Sequence, residues 1–263
     1  MSLLSPDRFI AVLGAQGVGL CRRSGSQQHW LGSVGFIAER SQAWAVALDA
    51  LQCLLGQHTV PRGSLYLVLS AHYSRFCLVP WSDEIHRPQE LQAYARACFE
   101  AHYGQSLEGW KVILSSEPVG HPRIAAALPE ALIQRAAEIS AQAGLSLHSV
   151  QPYLMSAFNC FVDGLAHNDF LFLLAEPQRS VLLTAKGGHW QQVRSLGSSD
   201  SDAALAALIG RECELQDDLS HLYLHAPGRL EPRPQLAGVN LCELPVETAP
   251  VHDVLCTMAR AVA

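Results

Sequence analysis

The sequence predicts an α/β protein built from two similar halves. Three consecutive strands joined by two tight turns, followed by a helix, occur in about Phe9–Leu55 and again in about Phe170–Cys213. A further strand and helix follow each copy, and a repeated order of elements is a stronger architectural signal than any single motif. Hydrophobic residues make up 49% of the 263 residues and charged residues 16%. That balance supports a well-filled core and excludes a disordered chain.

In the first half, short apolar runs bounded by turn residues predict strands, and apolar residues three and four apart predict helices. The glycine-rich segment Gly14–Gly19 separates two apolar runs, which is typical of a β-hairpin. Ser41 is expected to cap a helix that Gly56 ends. The predicted elements are strands at about Phe9–Leu13, Leu20–Arg22 and Trp30–Ala38, a helix to Leu55, strands at Leu65–Leu69 and Arg75–Val79, a helix at Gln89–Ala101, strands at Lys111–Ser115 and Arg123–Leu128, a helix at Pro129–Ala143, a strand at Leu145–Val150 and a helix at Pro152–Val162.

The second half repeats this alternation with shorter connections. A glycine pair at Gly187 and Gly188 predicts a tight turn, and Ser201 or Asp202 is expected to cap a helix behind the polar segment Ser198–Asp202. The predicted elements are strands at Phe170–Ala175, Ser180–Thr184 and Trp190–Leu196, a helix to Cys213, a strand at His221–His225, one more within Leu236–Leu244, and a final helix at Asp253–Val262.

Composition excludes several classes of function. The net charge is −6 without a basic block, so we expect no nucleic-acid binding. Apolar runs are far shorter than the roughly 20 residues that span a bilayer, so no direct membrane insertion is expected. Eight cysteines without a C-x-x-C pair, and no signal peptide, predict a reducing, cytoplasmic location. Twelve histidines show no zinc-ligand spacing, so no metal site is predicted.

The repeated order resembles that of the actin-like ATPases, in which two ribonuclease-H-like halves close on a nucleotide. Within that superfamily the chain resembles the type IV pilus assembly protein PilM and the cytoplasmic part of the type II secretion protein GspL. Residues 8–20 resemble the first phosphate hairpin of these proteins, and 170–196 the second. A strand pair at Leu65–Pro80, with the helix after it, resembles their small inserted α+β subdomain. The resemblance implies a first half at 1–165, with the insertion near 63–120, and a second half at 166–263.

The sequence departs from the active superfamily at three motifs. The first hairpin has Leu13 where the family places a metal-binding aspartate, and leucine offers no oxygen ligand. The second hairpin lacks the glycine that lets backbone N–H groups approach a phosphate. On the adenosine side the sequence is Ala-Pro-Gly228, where proline removes a donor. The resemblance therefore predicts a pseudo-ATPase without a cofactor, although Glu176 could partly replace the missing acid.

Two sets of candidate residues follow. If a nucleotide binds, the resemblance places it at Gly14, Gln16, Gly17, Glu176 and Gly228. The pattern of the glycines favours a structural turn over phosphate contact, since a strand rather than a helix follows them.

The second set concerns a protein partner. Trp81, beside a proline and before a helix, is either a lid over a core or an exposed anchor for a partner. Tyr153 and Asn159, on a helix expected to face the interdomain cleft, carry the same two alternatives.

The leading hypothesis is a non-catalytic scaffold, peripheral to the inner membrane, that captures the cytoplasmic segment of a bitopic pilus or secretion protein. It leaves a homodimer open. The second hypothesis is an active actin-like nucleotide binder or sugar-kinase relative that uses ATP and Mg²⁺. The third is an unrelated metabolic enzyme, which a deep pocket with converging titratable groups would favour.

Overall fold

A computed structural model describes residues 7–25, 27–165, 168–197, 201–215, 221–228, 240–246 and 253–262. Within them, the strands are β1 (Asp7–Leu13), β2 (Gly17–Ser24), β3 (Gln27–Gly35), β4 (Gly63–Leu69), β5 (Arg75–Val79), β6 (Trp110–Leu114), β7 (Arg123–Pro129), β8 (Leu145–Pro152), β9 (Phe170–Glu176), β10 (Arg179–Lys186), β11 (His189–Gly197), β12 (His221–His225) and β13 (Asn240–Glu243). The α-helices are α1 (Ala43–Gly56), α2 (Pro88–Tyr103), α3 (Glu130–Gln142), α4 (Tyr153–Phe161), α5 (Asp202–Leu215) and α6 (Val254–Arg260).

Two five-stranded sheets share one topology. The first has the order β3-β2-β1-β4-β8 and the second the order β11-β10-β9-β12-β13. In each sheet the first three strands are antiparallel neighbours, and the last two run parallel to the central strand. The predicted duplication and α/β fold class are therefore confirmed.

Strand β1 shows how the first sheet is buried on both faces. Side chains alternate along a strand, so odd and even positions enter different cores. Phe9, Ala11 and Leu13 pack in the cluster formed with α1 and α3. Ile10 and Val12 face a second cluster, which α4, α6 and the second sheet share. The two halves thus meet across a common apolar core, and the domain boundary at 165/166 stays a prediction.

The insertion is built around a separate three-stranded antiparallel sheet of order β5-β7-β6 with α2 beside it. The expected strand pair Leu65–Pro80 is wrong. Strand β4 pairs with β1 on one edge and with β8 on the other, so no edge remains for β5. Strand β4 therefore belongs to the first half, and the insertion's secondary structure runs from Arg75 to Pro129.

The helix ends test the N-caps predicted at Ser41 and at Ser201 or Asp202. Helix α1 begins after Gln42, which makes no side-chain capping bond, so the predicted cap at Ser41 is wrong. Ser201 is a confirmed cap, since its hydroxyl accepts from the Ala204 N–H at 3.2 Å. Asp253 caps α6 by accepting from the Leu255 N–H at 2.8 Å. Residues 198–200 and 236–239, part of the predicted polar turn and last strand, lie outside the described residues.

Among the described helices, we find no segment with the length and apolar character needed to cross a bilayer.

Candidate functional site: the cleft between the two hairpins

The glycines of the first hairpin pack against the protein's own last helix. Gly14 and Gly17 are buried, and the Gly14 N–H already donates to the Gly17 carbonyl at 2.8 Å. A Cβ atom on Gly14 would lie 2.5 Å from Leu255 Cδ2, and one on Gly17 would lie 3.1 Å from Leu255 Cδ1. Packing against Leu255 therefore already accounts for glycine at both positions, without any contact with a phosphate.

Two further glycines face the same helix end. A Cβ on Gly19 would lie 2.4 Å from Trp30 Cη2 and 3.0 Å from Leu255 Cβ. Gly228 has a φ of +76°, and a Cβ there would lie 2.1 Å from Val254 Cγ2. The first turn of α6 thus fills the space beside both the hairpin glycines and the glycine on the predicted adenosine side.

Leu13, where the resemblance places a metal-binding acid in active relatives, is a core residue. Its side chain is fully buried in the cluster with α1 and α3, and its carbonyl accepts from the Ser70 N–H at 2.9 Å. The leucine side chain has no oxygen atom with which to bind a hard cation. Among the described residues we find no group of three or more His, Cys, Asp or Glu side chains arranged to hold a metal ion.

The turn of the second hairpin carries a buried carboxyl group. Glu176 is 4% exposed and accepts hydrogen bonds from the Ser70 hydroxyl and from the Ala71 N–H at 3.0 Å. Burial raises the pKa of Glu176 to about 7, against the lowering effect of both bonds and of Arg179. Gln178 takes a φ of +60°, the left-handed conformation for which a glycine would be usual.

The segment Ser70–Tyr73, which we name the bridge segment, joins both hairpins. The Arg179 guanidinium donates to the Ala71 carbonyl at 3.1 Å, and the His72 Nε2–H donates to the Pro177 carbonyl at 2.9 Å. The Tyr73 hydroxyl donates to the Gly14 carbonyl at 2.8 Å. The turns of both hairpins are thus hydrogen-bonded to the bridge segment, which lies between them.

Solved structures with this arrangement of elements are similar to the chain over most of its length. The cytoplasmic domain of EpsL, an inner-membrane component of the Vibrio cholerae type II secretion system, shares 14% identity at a TM-score of 0.60, with 96% of this chain and 94% of that chain covered. A PilM–PilN type IV pilus biogenesis complex shares 16% identity at a TM-score of 0.62, with 97% and 90% covered.

A third similar structure decides the fold. A Bacteroides thetaiotaomicron protein of unknown function with an actin-like ATPase fold shares 8% identity at a TM-score of 0.60, with 86% and 83% of the two chains covered. This chain has an actin-like ATPase fold. The resemblance stated from the sequence is confirmed at that level. No protein-family model and no curated protein sequence matches the chain.

In this actin-like fold, the Tyr153 side chain joins the two halves. It is fully buried, and its hydroxyl lies 2.6 Å from His225 Nε2. His225 Nδ1 donates to the Leu244 carbonyl at 2.8 Å, so Nε2 is the acceptor and Tyr153 the donor. Burial lowers the pKa of His225 to about 4, which keeps the ring neutral. Tyr153 is inaccessible to a partner in this conformation, which corrects the expectation of partner contact there.

The other predicted site residues lie apart from one another. Gln16 is exposed at the first hairpin turn, where its carbonyl accepts from the Phe36 N–H at 3.0 Å. Asn159 is exposed on α4. Trp81 is partly buried in the insertion, and its indole N–H donates to Asp83 at 2.9 Å. The structure therefore bonds Gly14 and Glu176 to the bridge segment. It packs Gly17 and Gly228 against the first turn of α6 and leaves Trp81 and Asn159 elsewhere.

The insertion also contacts the second half. The Trp190 indole N–H donates to Glu117 at 2.8 Å, and the Nδ1 atoms of His121 and His189 lie 2.9 Å apart. The Trp190 ring packs edge-on against Phe158 of α4, 5.2 Å between centroids. We call the two contacts Glu117–Trp190 and His121–His189 together the insertion contact. It fixes the small subdomain against β11.

Sequence reasoning missed the bridge segment, although one signal marks it. Ser70 directly follows β4, at the edge where the carboxyl ends of parallel strands in an open sheet meet and ligands usually bind. The Val254 and Leu255 side chains carry no such signal, because an apolar residue in a short helix is consistent with any core.

Proposed function

We propose that the chain is a non-catalytic scaffold of a type IV pilus or type II secretion inner-membrane assembly. In this proposal it acts in the cytoplasm, is peripheral to the inner membrane, and binds the cytoplasmic segment of a bitopic partner. The near full-length likeness to the EpsL cytoplasmic domain and to the PilM–PilN complex supports that setting. The proposal requires peptide capture and no chemistry.

The hydrogen bonds of the bridge segment are the observation that supports a non-catalytic role. In an active protein of this fold, the phosphates need free backbone donors and a carboxylate for the metal. Here the acid at the second turn, Glu176, is used by Ser70 and Ala71, and the N–H of Gly14 is used within its own turn. A scaffold tolerates these bonds, whereas a nucleotide would have to break them.

Affinity capture from membranes tests the scaffold. Tagged chain is incubated with detergent-solubilised inner membranes, and bound proteins are identified by mass spectrometry against a tag-only control. We expect enrichment of a single-pass pilus or secretion component, and direct binding of a synthetic peptide that copies its cytoplasmic segment. Capture without binding of that peptide would contradict the proposal.

A nucleotide binder is the second candidate, and Glu176 is the observation that favours it. An acid at the turn of the second hairpin is where the fold would use one. Thermal unfolding with increasing Mg-ATP separates the candidates, because a ligand at about 100 times its Kd stabilises by roughly 2.7 kcal/mol. The scaffold proposal expects a constant melting temperature, and a saturable rise would favour the nucleotide binder.

A further inference from the structure

The insertion carries an open groove beside Trp81. The groove has a volume of about 250 Å³ and lies between the loop that precedes α2 and the loop that precedes β7. It is separate from the cleft, since no residue of either hairpin or of the bridge segment lines it. The Trp81 indole N–H donates to Asp83 in an exposed hydrogen bond, which favours this position of the ring.

Apolar side chains line much of this groove. These side chains belong to Pro80, Trp81, Ile85, Pro88, Leu91 and Val119. Val119 is 80% exposed. It offers a partner apolar surface beside Trp81, and tryptophan is enriched among the residues that dominate binding energy at interfaces.

The charged side chains that line the groove have one sign. Arg87 and Arg123 line it together with two histidines, and no Asp or Glu does. The nearby Glu90 is used by the N–H groups of His86 and Arg87, at 3.2 and 3.0 Å. The Arg87 guanidinium also lies 3.9 Å from Glu90, but that pair is exposed and worth little. On a chain of net charge −6, the residues that line the groove carry positive charge only, although Asp83 and Glu90 lie next to them.

We propose that this groove docks an acidic, extended segment of the membrane partner, with one apolar side chain beside Trp81 and Val119. The inference rests on the proposed function and names its binding site. The arginines attract carboxylates of the segment, and the apolar lining holds the anchor. His121 lines the groove and also contacts His189, so the segment would bind next to the insertion contact.

Two fluorescent peptides of about ten residues test the chemistry. One alternates Glu and Leu around a single Phe, and the other has Lys at every Glu position. Fluorescence anisotropy should show saturable binding of the acidic peptide only, weakened by added salt. Val119→Asp and Arg87→Gln should each weaken binding about tenfold or more. Ile37→Asp is the matched control, because Ile37 is fully exposed and lies outside the groove.

Several outcomes would overturn the groove assignment. These are equal binding of the lysine peptide, no binding of the acidic peptide, or unchanged binding by Val119→Asp with the wild-type melting temperature retained. Membrane capture separates this proposal from the scaffold. If Val119→Asp captures the partner as well as wild type does, the groove is wrong and the scaffold stands. If wild type captures no membrane partner, the scaffold fails.

Discussion

The carboxyl group of Glu176 accepts the backbone N–H of Ala71 at 3.0 Å, and this bond joins the two halves of the fold. The residues are 105 positions apart, one in the turn of the second hairpin and one in the bridge segment. An acid in this position is enclosed on all sides. Its ionisation state therefore affects how firmly the halves are held together.

Replacing Glu176 with Gln should make stability less dependent on pH. Because burial raises the pKa of Glu176 from 4.5 to about 7, the folded chain holds this proton more tightly than the unfolded chain does. Its contribution to stability is present below pH 4.5 and is lost as the pH rises to about 7. Glutamine keeps an acceptor for Ala71 and a donor for Ser70. Urea unfolding should show Glu176→Gln gaining up to about 3 kcal/mol over wild type between pH 5 and 8.

The difference in stability between Glu176→Gln and wild type separates the pH dependence due to Glu176 from that due to other titratable groups. His225, with a pKa lowered to about 4, makes stability fall as the pH falls, and it is present in both proteins. Glu84→Gln, the same substitution at an exposed position, is the matched control. A pH-independent difference between Glu176→Gln and wild type would contradict the assignment.

The order of elements could be predicted from sequence because local signals encode it. Apolar runs and turn residues placed the hairpins correctly at Gly14–Gly19 and at Gly187. The partner of β4 could not be predicted, since the tight turn after it favoured pairing with β5, whereas β1 and β8 already occupy both its edges. Strand pairing depends on distant segments, which a local pattern does not contain.

The site was predicted less well than the fold, for the same reason. The glycines were recognised, but their neighbour Leu255 lies near the other end of the chain. Glu176 was recognised as an acid at the right turn, but its bond to Ser70 spans 106 positions. Close packing against a helix and close approach to a phosphate both require glycine. A glycine pattern alone therefore leaves the two roles open.

The contact between Gly14 and Leu255 should appear as a strong coupling between substitutions. Gly14→Ala places a Cβ 2.5 Å from Leu255 Cδ2, so the side chain must shift, at a cost of about 1–3 kcal/mol. In a Leu255→Ala background this clash is absent, so Gly14→Ala should cost less there, although the Gly17 carbonyl oxygen still lies 3.2 Å from the added Cβ. Urea unfolding of the four proteins gives the coupling energy, expected at about 1–2 kcal/mol. Additive effects would show that Leu255 does not fill this space in solution.

Removing the Tyr153 hydroxyl should destabilise the junction of the halves. Tyr153→Phe leaves His225 Nε2 as a buried acceptor without its donor, which costs about 1–3 kcal/mol. Tyr66→Phe is the control, because Tyr66 is only partly buried and its ring contacts His148. Thermal unfolding should show a lower melting temperature for Tyr153→Phe alone. Equal effects of the two substitutions would argue against the bond to His225.

The insertion contact should be separable from the stability of the two sheets. Glu117→Leu removes the acceptor of the Trp190 indole N–H, whereas Glu117→Gln retains an oxygen there. Trp190 stays packed on Phe158, so the main effect should be greater mobility of residues 115–122, the loop between β6 and β7. Hydrogen–deuterium exchange should be faster in residues 115–122 of Glu117→Leu, by about tenfold for a bond worth roughly 1.4 kcal/mol.

The same exchange experiment contains its own controls. Amides of β1 lie in the core of the first sheet and should keep wild-type protection in both variants, because the insertion contact does not touch them. Glu117→Gln should resemble wild type throughout. Wild-type protection of residues 115–122 in Glu117→Leu would show that the pair His121 and His189 holds the insertion without Glu117. The double variant Glu117→Leu/His121→Ala would then be expected to release the loop.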